Sequence, residues 1–402
     1  MDKRLGLLWF VATAVRVALI WVQYRYQYFG VDFMAADSHG YVMLAKNILK
    51  GAGLTFDGVS PTAGVAPGFP VFLAGLFLIG IQSPVAIALV NSLMGGMTCV
   101  LVAALGTRLG GRTVGLASGY IAAFYPHLLF WTPYVLTETP FILAIVWALH
   151  LLLRFIEHPS AGRAILCGLV LGCAALVRPI ALPFLIFATP WLAWQFRRSG
   201  DRLRWVAILA VTASLPLGAW AVRNSLVMGA PIVTSTNAGG DFYMGNSPGA
   251  TGGSRGYVDR KDFDPYPVPP GLSEVEVNSL FWRESLKFLR EHPGAVPRLF
   301  VRKQMNMWRP TYERASLRNW LILGGSYILT MCFSVLGIAY AVRTRLSLPV
   351  TRLLLIFIGV FVVQHGIVTG MIRFRVPVEP ALIVFAGMGL AFAFSLPKET
   401  AS

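Results

Sequence analysis

The sequence predicts an all-α protein that crosses a membrane about ten times, and three observations carry that reading. Of its 402 residues, 56% are hydrophobic and only 13% charged, against roughly a quarter charged in soluble domains. Apolar runs of helical length recur from one end of the chain to the other. Lysine and arginine bring the formal net charge to +16, and they gather in the short stretches between those runs. There they orient helices and meet lipid phosphates, so no nucleic-acid partner is expected.

A crossing helix needs about 20 apolar residues to traverse roughly 30 Å of hydrocarbon. Runs that meet this demand approximately are 5–22, 84–106, 113–131, 138–155, 163–177, 179–195, 204–222, 319–341, 351–370 and 377–396. No small-residue cleavage site follows the first run, which therefore reads as a retained span rather than a removed signal peptide. Cys99, Cys167, Cys173 and Cys332 all lie inside apolar runs and suggest neither a disulfide framework nor a metal site.

The piece 67–82, PGFPVFLAGLFLIGIQ, is apolar but short and opened by two prolines. If it does not cross, the basic positions Lys3 and Arg4, Arg108 and Arg112, Arg163, Arg197 to Arg204, Arg343 to Arg352 and Lys398 fall on one side. The positive-inside rule makes that side cytoplasmic. If it does cross, the first basic end and nearly all later basic loops lie on opposite sides. The expectation is therefore a re-entrant or interfacial helix over 67–82 and ten spans with both ends in the cytoplasm. Two large segments, 23–83 and 223–318, then face the other way. The chain divides accordingly into a membrane catalytic module, 1–222, with the first outer loop 23–83; an outer loop with amphipathic helices, 223–318; and C-terminal transmembrane helices, 319–402.

The first outer loop contains ADSHGYVMLAKNILKG, in which Tyr41, Leu44, Ala45, Ile48 and Leu49 recur on one helical face. Asp37 or Ser38 is expected to cap this helix and Gly51 to end it. The second begins RNSLVMGAPIVTSTNAGGDFYMGNSPGATGG, where glycine and asparagine imply turns and close backbone approach. Two amphipathic helices follow, one from Ser273 with Glu276 completing a capping box, the other after Pro297. With so much glycine and proline the segment buries little core by itself, so it is expected to lie over the membrane-embedded part and roof a cavity.

Charged residues near span ends cost energy in hydrocarbon and call for a reason. Arg16 lies in the first run, Glu138 starts the fourth, and Arg178 with Pro179 separates the fifth from the sixth. Arg223 closes the seventh, and Arg373 and Arg375 precede the tenth. Each has a plain reading as well: an arginine snorkels to headgroups, and a glutamate in a first turn complements the helix dipole. Together, several cations beside two acids on the outer face make a site for an anionic, lipid-linked group. A phosphate ester leaves as a stable anion that cations can hold, so one carboxylate suffices as the base. Taking the proton of an acceptor hydroxyl as it attacks an anomeric carbon, Asp37 would complete an inverting sugar transfer. Glycoside hydrolysis differs in normally needing a second carboxyl group.

The segments DSHGYVMLAKNILKGAG and APGFPVFLAGLF, followed in order by TPYVLTETPF, LVRPIAL, STNAGGDFYMGN and RFRVPVEPALIVFAG, resemble polyprenyl-phosphate-sugar-dependent transferases of the GT-C fold. That group is glycosyltransferase family 39, the protein O-mannosyltransferases and lipid A aminoarabinose transferases. The resemblance implies a GT-C-like membrane fold with juxtamembrane helices in the first outer loop. It also implies a sugar donor on a polyprenyl phosphate, a hexosyl or pentosyl unit, and Asp37 as the catalytic acidic residue of that loop. Many members have an Asp-Glu pair there, whereas Ser38 follows Asp37 here, which leaves a second acid to be supplied by Glu138 or by nothing. The expected site is then Asp37 and Glu138 as catalytic residues, with Arg178, Arg373, Lys303 and Arg223 for the donor phosphate. His39, Tyr41, Asn237 and Asn246 are expected toward substrate. No cofactor is expected to be required, a weakly bound divalent cation at the donor phosphate being the one option left open. The partners are the donor, membrane lipids and a glycan, lipid or protein acceptor, and the expected location is the cytoplasmic membrane with the site on its extracytoplasmic face. Competing readings are a flippase or transporter of a lipid-linked sugar, which should show paired halves or broken helices, and a polyprenyl-diphosphate-dependent polymerase or ligase.

Overall fold

The structure, a computed structural model, describes residues 2–26, 33–253, 268–312 and 315–394. In chain order the helices are α1 (Lys3–Tyr26), α2 (Ala36–Leu49), α3 (Gly68–Leu78), α4 (Pro84–Gly110), α5 (Arg112–Phe124), α6 (Pro126–Trp131), α7 (Glu138–Glu157), α8 (Ala161–Val177) and α9 (Ala181–Phe196). They continue as α10 (Gly200–Met228), α11 (Ala238–Gly245), α12 (Glu274–Glu291), α13 (Ala295–Met307) and α14 (Leu317–Asn319), which passes through a π-helical turn into α15 (Ser326–Arg343). Last come α16 (Leu348–Ile367), α17 (Ile372–Arg375) and α18 (Glu379–Ala393).

Among the described residues, seven helical stretches are long and apolar enough to cross a membrane: Lys3–Arg25, Pro84–Gly110, Glu138–Glu157, Gly200–Met228, Leu317–Arg343, Leu348–Ile367 and Ile372–Ala393. The other three expected runs are helical but shorter. Pro126 holds Tyr125 in an extended conformation, which breaks 113–131 into α5 and α6. Pro179 does the same to Arg178, leaving α8 and α9 at 17 and 16 residues, each about 25 Å long. The last two residues of the expected run 377–396, and Lys398, lie outside the described residues.

The ambiguous piece 67–82 folds as α3, whose 11 residues reach only about 16 Å and cannot cross. Its two prolines sit at the cap and in the first turn, where no backbone donor is needed. Phe69, Leu73 and Phe77 pack toward Ala45 of α2 and Ile87 of α4. Gly68 is required for close approach to α8, since a Cβ there would lie 2.7 Å from the Leu176 carbonyl.

Helix α18 is buried along nearly its whole length. It crosses α15 at a paired glycine contact: a Cβ on Gly337 would fall 1.9 Å from the Phe385 carbonyl oxygen, and one on Gly389 would fall 2.0 Å from that of Phe333. Small residues at such a crossing let backbones touch where lipid gives no hydrophobic drive. The four cysteines are free thiols.

Outside the spans, the two outer segments lock to each other. Glu274 accepts from the Thr62 hydroxyl at 2.7 Å, the Ala63 amide at 3.0 Å and the Thr236 hydroxyl, while the Thr236 amide donates to the Ala63 carbonyl at 2.9 Å. Helix α12 begins with the expected capping box, Ser273 with Glu276. It carries α11 through Phe242 stacked on Trp282, 4.4 Å between centroids, and through Asn278 accepting from the Gly239 amide at 2.7 Å.

Candidate active site

Four helix breaks bring charged side chains together: the start of α2, the start of α7, the α8 to α9 junction and the α16 to α17 junction. Helix α2 is capped at Ala35, two or three residues before the expected Asp37 or Ser38. Ser38 turns back to accept from the Ala35 amide at 2.9 Å, so Asp37 sits in the first turn of α2 without capping it. Its carboxylate is thereby left for a tertiary partner.

That partner is Arg373, whose Nη1 donates to Asp37 Oδ2 at 2.8 Å. The Nε of the same guanidinium donates to Glu138 Oε1, and Arg178 Nη1 donates to that oxygen as well, at 2.7 Å. The result is a linear chain, Arg178 to Glu138 to Arg373 to Asp37, with two guanidinium charges against two carboxylates. Burial is graded along it: the Glu138 side chain is 0% exposed and the Asp37 side chain 51%. Glu138 Oε2 has no hydrogen-bond partner among the described residues. Aromatic rings wall the cations, Trp131 at 5.5 Å from Arg373, with Phe141 at 5.8 Å and Phe374 at 5.9 Å from Arg178.

Tyr41 joins from α2, edge-on to Phe69 at 5.0 Å. Burial pushes its phenol up to about 12, with Glu138 and Asp37 adding to the rise and Arg178 and Arg373 opposing it, so the hydroxyl keeps its proton. Asp241, on α11, also faces this cluster. The residue keeps exposed surface, yet desolvation by the protein around its carboxyl raises it to about 6. Asp37 adds to that rise and Arg178 opposes it.

The remaining expected residues are distributed differently. Lys303 is 1% exposed, and its ammonium donates to Asn246 Oδ1 and the Ile367 carbonyl, each at 2.7 Å. Asn246 in turn donates to the Phe242 carbonyl at 2.9 Å, so this pair fastens α13 to α11 and to the end of α16. Burial among neutral acceptors brings the Lys303 ammonium down to about 8. Arg223 donates to the Thr62 carbonyl at 3.1 Å and the Leu54 carbonyl at 3.4 Å, holding the first outer loop. His39 and Asn237 are exposed. Arg16 leaves the outer cluster altogether, donating to the Ala12 carbonyl at 2.9 Å inside the α1, α4 and α5 packing.

Arg375 also departs from its neighbour Arg373. It pairs with Glu379 at 2.7 Å, donates to the carbonyls of Met307 and Arg309, and stands 3.7 Å from the Tyr327 ring centroid. Tyr125 donates to Glu379 at 3.3 Å. This second buried network fixes the short helix α17 and with it the backbone that presents Arg373. Asp241, Trp131 and Glu379 are the residues sequence reasoning missed. Only Glu379 had a local signal, its i, i+4 spacing from Arg375. Among the described residues, no three His, Cys, Asp or Glu side chains are grouped to hold a metal ion.

Residues 64–220 match the family model for dolichyl-phosphate-mannose-protein mannosyltransferase. No curated protein matches the chain by sequence. Among solved structures, the apo oligosaccharyltransferase of Archaeoglobus fulgidus superposes with a TM-score of 0.54 at 12% identity, over 96% of this chain and 50% of that one. ArnT from Cupriavidus metallidurans bound to undecaprenyl phosphate gives 0.54 at 15% identity, over 95% of this chain and 60% of that one. The archaeal oligosaccharyltransferase AglB in complex with an inhibitory peptide and a dolichol-phosphate gives 0.52 at 11%, over 96% and 50%. The chain thus spans about half the length of the oligosaccharyltransferases it superposes on. With its apolar helices, its juxtamembrane α2 and α3 and these superpositions, the chain is a multi-pass membrane protein of the GT-C fold.

Proposed function

We propose that this protein is an inverting glycosyltransferase that moves a sugar from a polyprenyl-phosphate donor to an acceptor hydroxyl at the extracytoplasmic face of a cytoplasmic membrane. The observation that carries this reading is the graded chain of charges, with a buried Glu138 anchoring two arginines and a reachable Asp37 at its end. The family match and the lipid phosphates named in the ArnT and AglB structures support the donor class.

Arg178 and Arg373 hold the donor phosphate, and Glu138 fixes both guanidiniums so that little reorganisation is needed as the phosphate departs. The acceptor oxygen attacks the anomeric carbon, the bond from that carbon to the phosphate oxygen breaks, and the polyprenyl phosphate leaves as an anion. The hydroxyl proton passes to Asp37. One displacement inverts the anomeric centre. The arginines supply the charge balance, and no cofactor is needed in this scheme.

Transfer from a panel of labelled polyprenyl-phosphate sugars, by purified protein returned to membranes containing candidate acceptors, tests the proposal. A labelled product from one donor is expected; absence of product from every donor, with the protein folded, would sink it.

Asp241 gives the reaction a pH dependence. A sugar-phosphate diester keeps one negative charge from pH 5 to 7.5, whereas Asp241 ionises as pH rises through about 6 and adds negative charge beside Arg178. Donor affinity should fall about 3- to 10-fold across that rise, and Asp241→Asn should make the profile flat. A flat profile in the wild-type protein would remove Asp241 from the neighbourhood of the phosphate.

A further inference from the structure

Between the two outer segments lies a groove of about 360 Å³ lined by Phe56, Asp57, Ser60, Gly64, Asn237 and Glu274 among others. That volume sits at the small end of ligand pockets, roughly 300 to 1,000 Å³. The groove belongs to neither of the charge networks described above. We infer that it is the acceptor subsite and that it takes a neutral saccharide, whose hydroxyl is then presented to Asp37.

Phe56 is 42% exposed although it is among the most apolar residues of the loop. One edge of its ring rests on α2, where a Cβ added to Gly40 would lie 3.4 Å from Cε1. Gly40 is three residues, or one helical turn, from Asp37. The other edge is near Gly64, at 3.9 Å by the same measure. The ring is therefore held at its edges beside the helix that carries the proposed base, with a face left open.

The opposite wall carries Asn237, at the N-terminal end of α11, whose side chain does not cap its own helix. Its amide can donate and accept, as vicinal hydroxyls require. The two carboxylates in the groove are tied into its walls, Asp57 through one oxygen and Glu274 through both. Asp57 Oδ1 accepts from Thr55 Oγ1 and from the amides of Val59 and Ser60 at 2.7 to 2.8 Å, and Glu274 bridges Thr62, Ala63 and Thr236. Among the described residues no lysine or arginine lines the groove, so its described walls offer a phosphorylated or acidic ligand two carboxylates and no counter-charge. An exposed aromatic ring, an amide, and described walls without a lysine or arginine match a pyranose, apolar on its C–H face and hydroxylated at its rim.

This inference rests on the transferase reading, and its test is kept separate from transfer. The purified full-length protein in detergent is applied to an array of neutral oligosaccharides spotted beside Ser- and Thr-containing peptides. Retention by a subset of the oligosaccharides is expected, with Phe56→Ala weakening it about tenfold. Phe56→Trp should restore it, and Asn237→Ala should reduce it. Retention on no oligosaccharide, equal retention by Phe56→Ala, or retention on peptides instead would each overturn the assignment. Because no donor is present, failure here leaves the donor panel free to succeed, and failure of that panel leaves this binding to be read by itself.

Discussion

Asp37→Asn loses transfer by about 100-fold or more while donor affinity stays within about threefold of wild type. The size follows from removing a general base, typically worth about 10² to 10⁴ in rate. Asparagine keeps the shape and can still accept from Arg373, so the network beneath it survives. The structure sharpens this expectation, because Asp37 is not a helix cap: Ser38 does that work, and replacing Asp37 leaves the start of α2 satisfied. Asp37 is also the solvent-reachable end of the charge chain, where an incoming hydroxyl meets a carboxylate first. Single-turnover transfer measured alongside donor binding checks both halves. Transfer near the wild-type rate would strip Asp37 of its role and make Glu138 the leading base.

Glu138→Gln fails in the opposite way. Glu138 is wholly buried and accepts from two guanidiniums, so the substitution leaves Arg178 against a neutral amide and Arg373 with Asp37 as its remaining carboxylate. Breaking a buried ion pair from one side costs about 3 to 5 kcal/mol, and part of that should appear as a lower temperature of thermal inactivation. Donor affinity should fall about tenfold or more as both arginines lose their set positions, with transfer at saturating donor reduced less than in Asp37→Asn. Thermal inactivation and donor titration of the variant provide the check. Unchanged donor affinity would separate Glu138 from the phosphate site, and a loss confined to the saturated rate would make it a proton acceptor.

Features with local causes were legible in the sequence. The capping box at Ser273, the arrest of α2 near Gly51 and the failure of 67–82 to cross all follow from residues within a few positions of one another. Errors arose where neighbours in sequence go to different partners in space. Arg373 and Arg375 are two residues apart, yet one reaches Asp37 and Glu138 while the other turns to Glu379. Arg375 and Glu379 stand at i, i+4 spacing across Pro377, which a 3₁₀ turn over Val376–Val378 accommodates. Lys303 was expected at the phosphate from its charge alone, and only packing reveals an ammonium bonded to Asn246 and a carbonyl. Asp241 was hidden because its partners come from α2 and the α8 to α9 break, which no short stretch of sequence brings together.

The measurement that bears most directly on the central claim compares one labelled sugar presented on polyprenyl phosphate and on polyprenyl diphosphate, with wild-type protein and Asp37→Asn in parallel. Two arginines tied to a single buried glutamate suit a monophosphate. Transfer should therefore occur from the monophosphate donor, with product of inverted anomeric configuration, and fall about 100-fold or more in Asp37→Asn. Transfer from the diphosphate alone, retention of configuration, or an Asp37→Asn rate equal to wild type would contradict the account.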